Sequence, residues 1–202
     1  MKRSYGAGEA IVPPALSLSP RLESRRKELL KAIRANELQQ SPIKGLNRKA
    51  RRRRVGMDIT WITDRIAVGG GIWNAENMEA VSRAGITHII DMQIEFDDTP
   101  LAGAHGIAVC WNPVDDDFEP KPAEVFARGV EFALGALEED EAKVFVHCAA
   151  GVHRAPMMTL ALLAVMGWSL EDAMELIEGK RPVADFAEVY VRSVERFLCS
   201  RG

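Results

Sequence analysis

The run Val144-Phe145-Val146-His147-Cys148-Ala149-Ala150-Gly151-Val152-His153-Arg154-Ala155-Pro156 puts a cysteine at the end of an apolar stretch and an arginine six residues later. If the apolar stretch is a buried strand and Arg154 opens a helix, the small residues between them form a tight loop. Such a loop can turn successive backbone N–H groups inward as an anion nest, and the helix dipole reinforces it. Three non-bridging phosphate oxygens fit that cradle. Gly151 permits backbone angles that a β-carbon resists, and Arg154 offers a planar fork to two phosphoryl oxygens. The same donors favour the thiolate of Cys148, which supplies a nucleophile at neutral pH.

The elements on either side must position this segment. Ile59-Thr60-Trp61-Ile62 and Ile66-Ala67-Val68 read as strands around a turn at Thr63-Asp64-Arg65, and Gly69-Gly70-Gly71 breaks the pattern. Asn74 predicts the N-cap of a helix ending near Gly85. Residues 86–90 and 107–111 are compact apolar runs suited to buried strands. Val125, Phe126, Val130, Ala133, Leu134 and Leu137 recur at three- and four-residue steps, which predicts a helix beginning near Pro122. Past the cysteine, residues 155–166 predict an apolar helix stopped by Gly167, Ser169 caps another, and residues 183–198 supply the last. Strands interleaved with helices of this length imply an α/β fold. Its central sheet is mixed and mostly parallel, with helices on both faces and the cysteine loop between a buried strand and a helix.

Hydrophobic residues at 47% and charged residues at 27% suit a globular chain, and 202 residues leave room for one domain and an appendage rather than two domains. The net charge of −3 conceals an asymmetry: residues 1–56 carry 15 Lys and Arg against 4 Glu, and residues 57–202 carry 11 against 25. The expected organisation is a basic arm over 1–56, with one helix at 20–40 that could dock on the body, followed by a catalytic domain over 57–202. The arginine-rich run at 48–54 either captures a polyanion or is a solvated tail neutralised by the acidic body. Three cysteines with no C-x-x-C pair argue against a disulfide framework or a zinc knuckle, and Cys110 and Cys199 read as packing residues. The longest apolar run, 157–167, is too short to span a membrane, and the N-terminus has no continuous apolar signal core, so a soluble, cytoplasmic chain is expected.

The spacing His147-Cys148-x-x-Gly151-x-x-Arg154 resembles the signature of the cysteine-dependent dual-specificity phosphatases, and the likeness covers roughly residues 58–198. Ile66-Ala67-Val68-Gly69 and Ala84-Gly85-Ile86-Thr87-His88-Ile89-Ile90-Asp91 are similar to that family's opening strand-Gly and Gly-Ile-Thr segments. The resemblance implies that Cys148 is the nucleophile, that Arg154 binds phosphate, and that the backbone amides of Ala149, Ala150, Gly151, Val152, His153 and Arg154 line the loop. It implies hydrolysis of phosphomonoesters through a cysteinyl-phosphate, with no metal and no cofactor. The leaving group then needs a proton, for which Asp115, Asp116 and Asp117 are the candidates. The resemblance implies Asp116, because the family's acid commonly falls three residues after a proline-like position and ten before an anchor of the next helix, here Pro113 and Phe126, whereas a one-residue slip that aligns Asp117-Phe118-Glu119-Pro120 with the Asp-Phe-Asp of related phosphatases implies Asp117.

Two departures from the family bear on turnover and substrate. Ala155 stands where a Ser or Thr hydroxyl usually helps the sulfur leave, which implies slow breakdown of the intermediate. Arg154-Ala155-Pro156 is similar to the plant glucan phosphatases, but His153 stands where those have Gly. His153 is either a titratable donor beside the phosphate or a helix-start residue without a role, and His147 is expected to orient the loop by hydrogen bonding. Ala149, Ala150 and Val152 are uncharged, unlike the lysines of inositol-lipid phosphatases, and no phosphotyrosine-recognition segment is present. A shallow pocket for phosphotyrosine, phosphoserine and phosphothreonine proteins follows. The alternatives are a non-protein substrate such as glucan, an RNA 5′ end or a lipid, a phosphate-binding module of low turnover, and a nucleic-acid adaptor acting through the arm.

Overall fold

The computed structural model describes residues 56–201 together with Ser24. The arm's expected helix at 20–40 and its arginine-rich run lie outside the described residues, apart from Ser24, which is helical and exposed.

Each predicted element has a local cause that the structure makes visible. Strands β1 (Ile59–Trp61) and β2 (Ile66–Gly69) are joined by a turn in which Thr63 Oγ1 accepts from the N–H groups of Arg65 and Ile66. Asn74 caps helix α1 (Ala75–Arg83), its side chain accepting from Asn77 N–H at 2.8 Å. Strand β3 (His88–Asp91) leads to a short helix α2 (Thr99–Ala102) and a 3₁₀ turn at Gly103–His105, then to β4 (Ala108–Trp111). Pro122 is the N-cap of α3 (Ala123–Leu137), and β5 (Val144–His147) follows. Helix α4 (Arg154–Val165) gives way to Gly167 at φ +94°, Ser169 caps α5 (Leu170–Lys180), and α6 (Glu188–Ser200) closes the domain.

The strands form one five-stranded sheet in the order β1-β2-β5-β3-β4, antiparallel at the β1–β2 edge and parallel elsewhere. Strand β5 therefore lies at the centre, and its side chains alternate between two cores. Val144 and Val146 join Ile66, Val68 and Ile90 on the face covered by α3, α4, α5 and α6. Phe145 joins Ala67 and Ile89 on the face covered by α1 and Ala102 of α2. Burying each such side chain contributes about 1.5–3 kcal/mol, which fixes the register of β5 and hence where Cys148 emerges.

The structure amends the sequence reading at four places. Strand β4, expected to be buried, lies at the sheet edge with Ala108 and Trp111 exposed. The short helix α2 was not foreseen. The last helix begins at Glu188 and not at Val183, because Arg181 and Asp185 are drawn as loop residues onto the cysteine loop. Cys199 is exposed and does not pack against the core, whereas Cys110 is half-buried and burial pushes its thiol up from the ordinary value.

Candidate active site

Cys148 leaves the C-terminal end of the central strand, the crevice where parallel sheets commonly bind ligands. Five consecutive carbonyls of the following loop are committed to donors in the surrounding structure. Ala149 O accepts from Gly71 N–H at 3.1 Å and Val152 O from Asp185 N–H at 2.9 Å. Ala150 O and Gly151 O accept from Arg181, through Nη2 at 3.4 Å and Nε at 2.7 Å. His153 O accepts from Met157 N–H within α4 at 2.9 Å. Because a peptide's C=O and N–H point in opposite directions, carbonyls held this way leave the loop's N–H groups facing its concave side. Gly151 N–H, for one, points at Cys148 Sγ at 3.2 Å.

Gly151 is needed at its position. Its φ is +65°, and a β-carbon there would come within 2.5 Å of Gly69 O. The glycine run before α1 is thus a floor for the loop as well as a break in the strand. Arg181, only 4% exposed, spans loop and sheet edge: besides the two carbonyls it donates to Asp58 Oδ1 (3.0 Å), Asp58 Oδ2 (2.6 Å) and Thr60 Oγ1 (2.9 Å). A buried guanidinium with five acceptors is well compensated for desolvation.

Arg154 opens α4 and is 3% exposed. Its Nη1 and Nη2 form a fork with Glu95 Oε2 (3.0 Å) and Oε1 (2.8 Å), and Nη1 also meets Val114 O at 3.1 Å. This pairing holds the Glu95 carboxyl below the usual range. Nε is buried without a hydrogen-bond partner and lies 3.7 Å from Asp116 Oδ2. The N-cap position of α4, His153, makes no side-chain cap bond, so the positive end of the helix stays directed at the cradle.

The aspartate trio separates by environment. Asp116 lies over the cradle, with Oδ2 at 3.1 Å from His153 Nδ1 and Oδ1 accepting from Tyr190 at 2.9 Å. Asp117 instead pairs with the buried Lys121, and Asp115 Oδ1 accepts only the neighbouring Asp116 N–H. His153 bridges two carboxylates, its Nε2 lying 3.3 Å from Asp185 Oδ2.

Beneath the cysteine, His147 Nε2 lies 2.7 Å from Asp98 Oδ2 and 3.7 Å from Asp91 Oδ1, all three residues being fully buried. The sequence placed no partner near His147, but the fold brings two. Among the described residues these three form a trio whose potential ligand atoms come within 4.8 Å of one another. A 2.7 Å separation is tighter than the spacing of two atoms on one tetrahedral metal at about 2.0–2.2 Å each, and neither His147 Nε2 nor Asp98 Oδ2 makes a hydrogen bond among the described residues. Burial raises the Asp91 carboxyl to about 6.

The structure thus brings Cys148, Arg154, Asp116, His153 and the loop 149–153 together. Sequence reasoning missed Arg181, Asp58, Glu95, Asp98 and Tyr190. Nothing local marks them, since each acts across the fold, and Tyr190 sits inside an apolar helical pattern that reads as core. No described helix is long and apolar enough to cross a membrane.

The family model of the dual specificity phosphatase catalytic domain matches residues 72–197, and the chain belongs to that family. It is 32% identical over 106 residues to mouse protein tyrosine phosphatase type IVA 3, covering 52% of this chain and 60% of that protein. It is 27% identical over 115 residues to rat dual specificity protein phosphatase 5, covering 56% of this chain and 29% of that one. The chain thus spans less than two thirds of the length of either relative. Solved structures share the fold: PTPMT1 in complex with PI(5)P has a TM-score of 0.63 at 21% identity over 70% of this chain and 95% of that one. Tk-PTP in the active form has a TM-score of 0.62 at 21% identity over 72% and 98%.

Proposed function

We propose that residues 57–202 form a phosphatase unit that hydrolyses phosphomonoesters, with phosphotyrosine, phosphoserine and phosphothreonine proteins as substrates. The observation that carries this reading is the row of carbonyls 149–153 held by the surrounding structure, with Gly151 N–H directed at Cys148 Sγ at 3.2 Å. In the first displacement the Cys148 thiolate attacks phosphorus, the bond to the leaving oxygen breaks, and Asp116 gives that oxygen its proton. In the second, the Asp116 carboxylate takes a proton from water, whose oxygen displaces the sulfur and releases inorganic phosphate. Neither step calls on a metal or a cofactor; the amides and Arg154 stabilise the transferring phosphoryl group. Ala155 offers no hydroxyl to the departing sulfur, so the second step is the slower one.

A second reading, a phosphoester with an apolar body such as a lipid, is favoured by Phe118, which is 51% exposed and lies 5.0 Å from the His153 ring. Of the structures similar in fold, one holds PI(5)P. The uncharged Ala149, Ala150 and Val152 favour the protein substrates. A cytoplasmic location and polyanion capture by the arm at 1–56 belong to the same proposal, the latter read as salt-dependent binding lost on deleting the arm.

The test is hydrolysis of para-nitrophenyl phosphate by the whole chain, with an initial burst from the slow second step. Cys148→Ser should abolish turnover, and activity retained in that variant would overturn the reading. Relative kcat/KM on phosphopeptides, phosphoinositides and phosphorylated glucan decides the substrate class.

A further inference from the structure

We infer that Tyr190, on the last helix, is a positioning residue for the general acid. It ties down Oδ1 of Asp116, so that Oδ2 carries the transferable proton at the mouth of the cradle. The inference rests on the reading of Asp116 as the acid.

Hydrogen-bond polarity carries the argument. Tyr190 is 1% exposed, and its ring stacks on Phe118 at 5.7 Å between centroids and 11° between planes. Its hydroxyl has two partners, Phe118 N–H at 3.0 Å and Asp116 Oδ1 at 2.9 Å. A backbone N–H only donates, so the phenol oxygen accepts there and its single proton is committed to Asp116. Burial pushes the phenol up to about 12, so this donor persists throughout the neutral range.

With Oδ1 held from the α6 side, the other oxygen is left toward the cysteine loop. Oδ2 lies 3.1 Å from His153 Nδ1 and 3.7 Å from Arg154 Nε, both groups of the loop that would hold phosphate. A carboxyl free to rotate would present its proton in many directions; this one is oriented before a substrate arrives. The same phenol fixes the backbone of the acid loop through Phe118, whose φ of +58° is costly for a side chain of that size. Asp117 is held too, its Oδ1 accepting from Glu119 N–H at 3.0 Å and from Lys121 Nζ, but neither donor belongs to the cysteine loop.

Tyr190→Phe keeps the stacked ring and removes only the hydroxyl. General acid catalysis matters in proportion to the basicity of the leaving group. The variant should therefore lose about tenfold in kcat/KM on phenyl phosphate but less than about threefold on dinitrophenyl phosphate. In the Asp116→Asn background it should cost nothing further, because the group it positions is gone. Comparing the two esters on the same folded sample keeps the result independent of any shift in Tm. An equal loss on both esters, no loss on either, or a full additional loss in the double variant would overturn the inference. Failure of Asp116→Asn itself to discriminate between the esters would remove the acid and the role of Tyr190 with it. Turnover surviving Cys148→Ser would instead strike at the phosphatase reading, so the failures are distinguishable.

Discussion

The cysteine loop and the acid loop meet over the same few ångströms of space, yet they are held in different ways. The cysteine loop is shaped by its own backbone: small residues, one glycine at φ +65°, and carbonyls committed to outside donors. The acid loop carries short-range side-chain bonds of its own, Asp115 to Asp116 N–H and Asp117 to Glu119 N–H and Lys121, but Asp116 itself is fastened by side chains from distant positions. Tyr190 holds Asp116 and Phe118, and Ser193 Oγ accepts from Lys121 N–H at 3.0 Å. The first loop's reactive groups lie in eight consecutive residues, with Gly71, Arg181 and Asp185 holding its carbonyls, whereas the acid is held from a helix about seventy residues further along.

The largest effect is expected where the backbone sets the shape. Gly151→Ala forces a β-carbon to 2.5 Å from Gly69 O at a positive φ. It should lower kcat/KM by at least about 100-fold and stability by about 2–4 kcal/mol, read by steady-state kinetics and urea denaturation. Near-normal activity would mean that the cradle does not depend on this residue. On the other loop, Asp116→Asn should cost about 100-fold on phenyl phosphate and Asp117→Asn less than about threefold. The reverse order would show that the acid loop's fastenings serve the wrong aspartate.

A smaller effect tests the foundation beneath the cysteine. The folded state holds the proton of Asp91 up to about pH 6, whereas an unfolded chain releases it near the ordinary 3.8. Ionising this buried carboxyl therefore costs stability as pH rises from about 3.8 to about 6, by up to about 3 kcal/mol. Asp91→Asn should remove that part of the slope, so that unfolding free energies of wild type and variant diverge across the window and run parallel above it. A constant difference from pH 3 to pH 7 would disprove the assigned cause.

What could be read from the sequence follows the same division. Strands β2, β3 and β5, the caps at Asn74 and Ser169, and the loop from Cys148 to Arg154 are expressed in short-range patterns, and their positions agree with the sequence reading to within a residue or two. Asp116 was preferred over Asp117 only through the family resemblance, and the partners that distinguish it in the structure, Tyr190 and His153, are revealed by no local pattern. The start of the last helix was misplaced for a related reason. Residues 183–187 have a composition compatible with a helix, but Asp185 N–H is claimed by Val152 O of the cysteine loop and Ala184 N–H closes a turn onto Arg181 O. The fork of Arg154, expected to face phosphate with both arms, is shared with Glu95, a partner contributed by the segment after β3.

The bridge from Arg181 to Asp58 also bears on where this chain can be cut. Asp58 precedes the first strand by one residue, so a fragment trimmed neatly to Ile59 would keep every strand of the sheet. It would nevertheless strand a buried cation whose remaining acceptors are the Thr60 hydroxyl and the carbonyls that shape the cradle. The smallest serviceable piece is therefore set by a single carboxylate lying outside any regular element.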